Sequence, residues 1–168
     1  MKTLKSISKM MLLTAVFAFV SCSKDDDNNT PVIPPAGNYF VKAKVDTGDY
    51  ANSPYVTPAA TFNAGTMMIQ SSGATGNAMQ IQIPNYNGVG VYNSGNNNLS
   101  NGYINFSKMG SGFTYKTYTS VRGSGTVEIT AVTATEIEGT FSAYAPENQD
   151  GWTTAVEISE GTFKLKKP

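Results

Sequence analysis

The sequence contains no histidine and a single cysteine, Cys22. Histidine is the commonest general base and metal ligand at neutral pH, so its absence excludes Ser-His-Asp and Cys-His catalytic sites. A structural zinc site of the usual Cys/His kind is excluded for the same reason. Carboxylate, lysine and tyrosine chemistry remains, so the composition predicts a protein that is not an enzyme and binds no metal or cofactor.

An excess of positive charge is also lacking. Twelve Lys and Arg residues balance 12 Asp and Glu residues over the whole chain. Three of the lysines lie in the first 21 residues, and the rest of the chain has a net charge of −3. Nucleic-acid-binding domains usually carry a strongly basic surface, so we expect no nucleic-acid partner.

The apolar run near the start, Met10–Val20, has 11 residues. A transmembrane helix needs about 20 apolar residues, so this run is too short to be a permanent span. Lys2, Lys5 and Lys9 precede it, and no acidic residue offsets them. This combination predicts a cleaved signal peptide over residues 1–21, with a helical apolar part.

The end of this leader resembles a bacterial lipobox. Phe19-Val20-Ser21-Cys22 places a small residue directly before the cysteine, as lipoprotein signal peptidase requires. The resemblance implies cleavage before Cys22 and acylation of that residue. Several acyl chains hold a protein to a bilayer far more firmly than one chain does, so the membrane is an expected partner through the N-terminal lipid.

The residues after the cysteine resemble a sorting signal. A lysine followed by acidic residues sends lipoproteins of the Bacteroidota to the outer face of the outer membrane, which implies a lipid-anchored protein of the cell outer membrane, facing outside. A solvated acidic linker is the alternative interpretation. Three prolines farther on favour an extended spacer, so residues 22–37 are predicted to form a lipidated, flexible stalk. The signal-like residues are Ser23, Lys24, Asp25, Asp26 and Asp27.

Residues 38–168 have the size of a single domain and show no helical periodicity. Short stretches such as Tyr39–Val45, Met79–Ile83 and Val127–Ala131 alternate apolar and polar residues, and Gly and Asn residues separate them. Many short strands at close spacing predict an all-β fold, an antiparallel β-sandwich or barrel. The sequence does not choose between these two architectures.

Three connections have recognisable turn or loop composition. Residues 46–50 are predicted to form a turn. Residues 52–64 are predicted to be a loop, because Pro54 and Pro58 interrupt any hydrogen-bonded ladder. Asn101-Gly102 is a frequent hairpin dipeptide.

The last predicted strand, from about Thr153 to Leu165, changes phase. Val156 and Ile158 fall on even positions, whereas Phe163 and Leu165 fall on odd positions. One extra residue would return Phe163 to the core face, so the pattern predicts a β-bulge near Glu160-Gly161.

Two similar segments lie in this region, Ile137-Glu138-Gly139-Thr140-Phe141 and Ile158-Ser159-Glu160-Gly161-Thr162-Phe163. The strand Gly123-Ser124-Gly125-Thr126-Val127-Glu128-Ile129-Thr130 precedes them. Over residues 123–163, and in the leader, the chain resembles the small, functionally uncharacterised β-rich lipoproteins of the Bacteroidota. This resemblance implies a fold and a cellular location, and it supplies no catalytic residue.

The candidate binding residues are aromatic side chains in loops rich in Asn and Asp. Tyr86 and Tyr92 belong to the densest such run, residues 85–93, and Trp152 follows the turn at Asp150-Gly151. Aromatic rings stack on sugars while amides and carboxylates provide hydrogen bonds. Each residue taken alone also fits a structural role at the edge of the core. The other tyrosines in or beside loops are Tyr50, Tyr55, Tyr115 and Tyr118.

Two groups of carboxylates are further candidate sites. Glu136 and Glu138 point to the same face of a strand and could form the acid pair of a glycosidase, although a solvated strand face explains them more simply. The oxygen-rich residues 147–150 before Gly151 could hold calcium weakly, although a turn is again the simpler interpretation.

The sequence thus predicts a surface-exposed lipoprotein whose non-catalytic β-domain binds a glycan, a peptide or an envelope protein through its loops. A purely structural envelope or adhesion spacer is the alternative, and a carboxylate-based hydrolase is a third possibility. Binding predicts that Trp152 and the loop tyrosines converge on one concave surface, whereas a spacer predicts that they are scattered.

Overall fold

The computed structural model describes residues 38–46, 48–95, 99–110, 114–117, 123–147 and 154–168. Within these ranges the chain forms β-strands, one 3₁₀ turn at Leu99–Asn101 and no α-helix, so the predicted all-β class is confirmed. The predicted signal helix and stalk, residues 1–37, lie outside the described residues. The strands are β1 Phe40–Val45, β2 Gly48–Ala51, β3 Ala59–Asn63, β4 Thr66–Ser72, β5 Ala78–Ile83, β6 Gly90–Gly95, β7 Tyr103–Ser107, β8 Thr114–Lys116, β9 Ser124–Val132, β10 Glu136–Pro146 and β11 Ala155–Lys166.

The strands form one 11-stranded sheet in the order β6-β9-β10-β11-β3-β4-β5-β7-β8. The β1–β2 hairpin branches from it, because β1 also pairs with β11. The pairs are antiparallel except for a short parallel contact between β11 and β3, where Lys166 lies opposite Ala59. Over the described residues the sheet is therefore mixed and open, and it does not close into a barrel.

The core lies between strands that are distant in the sheet order. Ile104 of β7 approaches Gly125 of β9 so closely that a Cβ on Gly125 would lie 3.0 Å from Ile104 Cδ1. The alternating apolar residues predicted from the sequence provide most of this core, since burial follows the period of two. Its largest fully buried side chains are Val41, Met67, Ile69, Met79, Ile81, Ile83, Ile104, Ile129, Ile137, Ile158, Phe163 and Leu165.

The β-bulge predicted in the last strand is confirmed. Phe141 lies opposite Gly161 and Ala143 lies opposite Ile158, so β11 uses one more residue than β10 over this interval. The register with β1 shifts at the same place. Glu160 lies in the bulge, and its backbone has a left-handed φ of 51°. Phe163 consequently returns to the core, where its side chain is buried.

The predictions for the three connections are wrong in part. The turn at residues 46–50 is shorter than predicted, because Gly48–Ala51 forms β2 and pairs with β1. The loop at residues 52–64 contains β3, because the chain after Pro58 pairs with β4. Asn101-Gly102 does not close a hairpin. Gly102 has a left-handed φ of 78°, but the flanking strands belong to different parts of the sheet, β6 beside β9 and β7 beside β5.

Candidate functional site

Two of the predicted binding residues, Tyr86 and Tyr92, are in contact. Their ring centroids are 6.0 Å apart and their planes are inclined by 23°. Phe62 of β3 also packs against Tyr86, with centroids 5.4 Å apart. Tyr86 N donates a hydrogen bond of 2.8 Å to Gly65 O. The chain after β5 is therefore held against the β3–β4 turn by a row of three aromatic rings.

The hydroxyl groups of this pair have different surroundings. Tyr92 Oη accepts a hydrogen bond from Asn87 N at 3.0 Å and donates one to Gly88 O at 2.8 Å. Tyr86 Oη is buried, and nothing in the described part of the chain forms a hydrogen bond with it. Burial raises the pKa of Tyr86, and the neighbouring Tyr92 adds to the shift. Tyr92 thus fixes the shape of the loop that precedes β6, while Tyr86 contributes its ring.

Trp152, the third predicted binding residue, lies outside the described residues. On the described residues that flank this gap, Glu147 N donates a hydrogen bond of 3.0 Å to Thr154 O. Thr154 Oγ1 also donates one to Glu147 Oε2. Tyr86 lies in the connection between β5 and β6, and Tyr92 lies in β6 itself.

Several predicted residues lie outside the described residues. They are Trp152, Tyr118, the calcium ligands predicted at residues 148–150, Cys22 and residues 23–27. Within the ranges that the structure does describe, no three His, Cys, Asp or Glu side chains are grouped closely enough to hold a metal ion.

Glu136 and Glu138 share one face of β10, as predicted, and Lys164 of β11 lies between them. Lys164 Nζ is 2.9 Å from Glu136 Oε2 and 3.0 Å from Glu138 Oε1. These two hydrogen bonds raise the pKa of Lys164 above its ordinary value. A glycosidase keeps the space between its carboxyl groups for the substrate. Here the lysine occupies that space, so the arrangement matches a solvated, ion-paired strand face.

A cleft of about 310 Å³ lies where the β1–β2 hairpin meets β7, β8 and the start of β11. Small-molecule sites usually have volumes of roughly 300–1,000 Å³, so this cleft suits a small ligand or a single side chain of a larger one. The polar and aromatic side chains that line the cleft include Asp46, Asp49, Asn77, Phe106, Lys108 and Tyr115.

Three aromatic rings form one wall of this cleft. Phe106 of β7 lies in the middle, with its centroid 6.1 Å from that of Tyr50 and 6.4 Å from that of Tyr115. Tyr50 meets Phe106 edge-on at 87°, and Tyr115 stacks on it at 27°. Tyr50 Oη donates a hydrogen bond to the Ser71 carbonyl at 2.9 Å, which anchors β2 over β4. The wall is therefore an extension of the core, and its shape is set by packing within the domain.

The polar side chains of the cleft are also positioned by backbone contacts. Asp46 N donates to Glu157 O at 2.8 Å, and Asp46 Oδ1 accepts from Glu157 N at 3.0 Å. Asn77 Oδ1 accepts from Met109 N at 3.0 Å, which ties the β4–β5 tip to the end of β7. Burial raises the pKa of Tyr115, and the carboxylates of Glu147 and Asp46 add to the shift. The cleft thus combines an aromatic wall with acidic and amide groups.

The tyrosines predicted to lie in or beside loops do not meet on one surface within the described chain, and three of them, Tyr50, Tyr92 and Tyr115, lie in strands. Tyr50 and Tyr115 belong to the cleft, Tyr86 and Tyr92 pack against each other elsewhere, and Tyr55, which is 73% exposed, does not line the cleft. The sequence did not predict that Tyr50 and Tyr115 line the same cleft. This proximity depends on the β1–β2 hairpin, which was not predicted from the sequence pattern. The available signal was the stretch from residue 45 to residue 50, where a short polar turn separates two stretches that can pair.

Comparison with known proteins places most of the described domain in one family. No helix within the described ranges is long and apolar enough to span a membrane. No significant match was found among curated proteins or among solved structures. Residues 40–165, which run from the start of β1 almost to the end of β11, match a family model described as Domain of unknown function (DUF6252). The chain therefore belongs to the DUF6252 family.

Proposed function

We propose that this DUF6252 protein is a lipid-anchored lipoprotein of the Bacteroidota type, held on the outer face of the outer membrane. Its β-domain binds a small ligand or an envelope partner and catalyses no reaction. The address is supported by the lipobox-like residues before Cys22, by the lysine and acidic residues that follow, and by the likeness of residues 123–163 to lipoproteins of that group.

The cleft beside the β1–β2 hairpin is the observation that carries the binding proposal. Its aromatic wall offers a stacking or apolar surface, and Asp46, Asp49 and Asn77 offer hydrogen-bond acceptors and donors beside it. Pre-formed concave surfaces with a few convergent polar groups are typical of ligand sites. The absence of histidine and the Lys164-bridged glutamates support binding without catalysis.

The binding proposal is tested with the purified mature lipoprotein in detergent, on a glycan array and in pull-downs from envelope extracts. We expect a ligand whose retention is lost in Asp49→Ala and Tyr115→Ala. Tyr55→Ala is the matched control, because Tyr55 is exposed and does not line the cleft. Thermal unfolding monitored by circular dichroism establishes that each variant is folded. Empty results in both screens with folded wild-type protein would rule out the binding proposal.

Lipid attachment and location at the cell surface are tested separately. Labelling of growing cells with an alkyne fatty acid should modify the wild-type protein and leave Cys22→Ser unmodified. Proteinase treatment of intact cells should remove the wild-type protein if it faces outside. Replacement of Asp25, Asp26 and Asp27 by alanine should then protect it, and equal sensitivity of that variant would refute the sorting role of these residues.

The spacer alternative also has an observation in its favour. The described tyrosines that were predicted in or beside loops do not converge on one surface, and a spacer needs no convergent surface. A deletion strain with a weakened envelope that is fully restored by Asp49→Ala and Tyr115→Ala variants would favour the spacer over the cleft.

A further inference from the structure

The outward face of β9, β10 and β11 carries hydroxyl-bearing side chains in register. Thr140 in the middle strand lies opposite Glu128 on one side and Thr162 on the other. Lys42 of β1 continues the row beyond Thr162. All four side chains are exposed. Neighbouring strands are about 4.8 Å apart, so this row presents one polar group at each such interval across the sheet.

A second row runs beside the first. Ser142 of β10 lies opposite Thr126 of β9, and Asn93 of β6 lies opposite Thr126 in turn. On its other side Ser142 faces the bulge, where Ser159 and Glu160 take the place of a single residue. The two rows thus form a continuous polar surface across five strands, β6, β9, β10, β11 and β1.

Two shallow, open depressions lie on this surface. One depression, of about 570 Å³, is lined by residues of both rows, among them Glu128, Thr140 and Glu160. A second, of about 520 Å³, includes Asn93 and Tyr144. The depressions adjoin, because Thr126 and Ser142 line both of them. We call this combined surface the outer trough.

The bulge places a carboxylate in the outer trough. Glu160 has a left-handed φ of 51°, a conformation that is unfavourable for a residue with a Cβ. A glycine would form the same bulge without that strain. Bulges often redirect a side chain next to a functional site. At this position the strain is accompanied by an exposed carboxylate that lines the trough and is held by Lys44, 2.6 Å away.

The chemistry of the trough selects its occupant. Hydroxyl, amide and carboxylate groups match the hydroxyls of a sugar chain, which both donate and accept hydrogen bonds. Tyr144 lines one end of the trough and is 38% exposed. The spacing between strands is comparable to the length of one pyranose unit. An apolar peptide would find few apolar partners there, and an anionic membrane surface would meet the carboxylates of Glu128, Glu157 and Glu160.

We propose that the outer trough is a binding site for an uncharged oligosaccharide, laid across β9, β10 and β11 and hydrogen-bonded by Thr140, Ser142 and Glu160. This site is distinct from the cleft beside the β1–β2 hairpin, since the two share no lining residue.

The test is isothermal titration of the mature lipoprotein in detergent with maltohexaose, cellohexaose, xylohexaose and mannohexaose. We expect at least one of these to bind. Glu160→Gly should weaken that binding roughly tenfold or more, since hydrogen bonds to charged groups are the stronger ones, while the left-handed backbone is retained. Thr140→Val should also weaken binding, and Thr140→Ser, which keeps the hydroxyl, should restore most of it.

Two matched variants serve as controls for the outer trough. Thr61→Val makes the same change as Thr140→Val at an exposed position of β3 outside the trough and should have no effect. Tyr115→Ala alters the cleft and should also leave oligosaccharide binding intact, so failure of the cleft proposal and failure of this one are distinguishable. No heat with any of the four sugars, or equal affinity in Glu160→Gly, would overturn the proposal. Binding of peptides from envelope extracts, with no binding of the sugars, would also overturn the proposal.

Discussion

Lys44 Nζ lies 2.6 Å from Glu160 Oε1 and so links β1 to the bulge in β11. Both side chains are more than half exposed, at 51% and 65%. Exposed ion pairs contribute little to stability, so this pair is a weak reason for a glutamate at a left-handed position. The backbone there is constrained mainly by its neighbour, Gly161, which packs directly against Phe141.

Adjacent substitutions in the bulge should therefore have very different effects. Gly161→Ala should lower the free energy of unfolding by about 2–3 kcal/mol, because a Cβ would lie 2.3 Å from Phe141 O and 2.7 Å from its ring atoms. Glu160→Gly should remain within about 1 kcal/mol of the wild type, because relief of left-handed strain is offset by the larger entropy of glycine in the unfolded chain. Urea denaturation measures both. Similar losses in the two variants would contradict the dominant role of Gly161 in the bulge.

The bulge was predictable because burial in the last strand is strict. Val156 and Ile158 are buried on one side of Glu160, and Phe163 and Leu165 on the other. A change of phase between two buried pairs leaves an inserted residue as the simplest solution. Strands with this degree of alternation are therefore placed well by sequence alone.

The hydroxyl groups of Tyr86 and Tyr92 give a second contrasting pair. Tyr92→Phe should lower the free energy of unfolding by about 1 kcal/mol, because its hydroxyl joins Asn87 and Gly88. Tyr86→Phe should be neutral or stabilising by up to about 1 kcal/mol, because it removes a buried hydroxyl without a hydrogen-bond partner among the described residues. Chemical denaturation of the two single variants decides this, and a larger loss in Tyr86→Phe would contradict it.

β3 and the cleft, which the sequence pattern does not indicate, depend on contacts between segments that are far apart in the chain. β3 buries one residue, Ala60, so its own pattern carries almost no periodic signal. β3 forms a strand because all of its residues pair with β4. Its first residue, Ala59, also pairs with Lys166, near the end of the sequence. The cleft was missed for the same reason. Tyr50 and Tyr115 are 6.1 and 6.4 Å from Phe106, which the topology of the sheet brings between them.

Removal of Lys164 should expose the repulsion between Glu136 and Glu138. Lys164→Met keeps much of the apolar length and leaves two like charges on one strand face, so we expect a lower denaturation midpoint at neutral pH and low salt. The deficit should shrink in about 1 M NaCl, where charges are screened within roughly 3 Å. Glu138→Gln added to Lys164→Met should restore part of the loss. Lys42→Met, at an exposed position of β1 opposite Thr162, is the control, and an equal deficit there would refute the role of Lys164 as a bridge.

Tyr50 should make the protein sensitive to alkaline pH. Its side chain is 4% exposed, and burial raises its pKa above the ordinary value of 10.0. A raised pKa in the folded state means that the stabilisation is complete below the unfolded pKa of about 10 and is lost as pH rises from there through the higher folded-state pKa. Tyr50→Phe loses the hydrogen bonds to Ser71 and should cost about 1–2 kcal/mol at neutral pH. Its deficit relative to wild type should then diminish above about pH 10, because phenylalanine has no proton to lose. Free energies of unfolding measured from about pH 7 to pH 11, with Tyr55→Phe as the exposed control, test this, and a deficit that stays constant or grows with pH would disprove it.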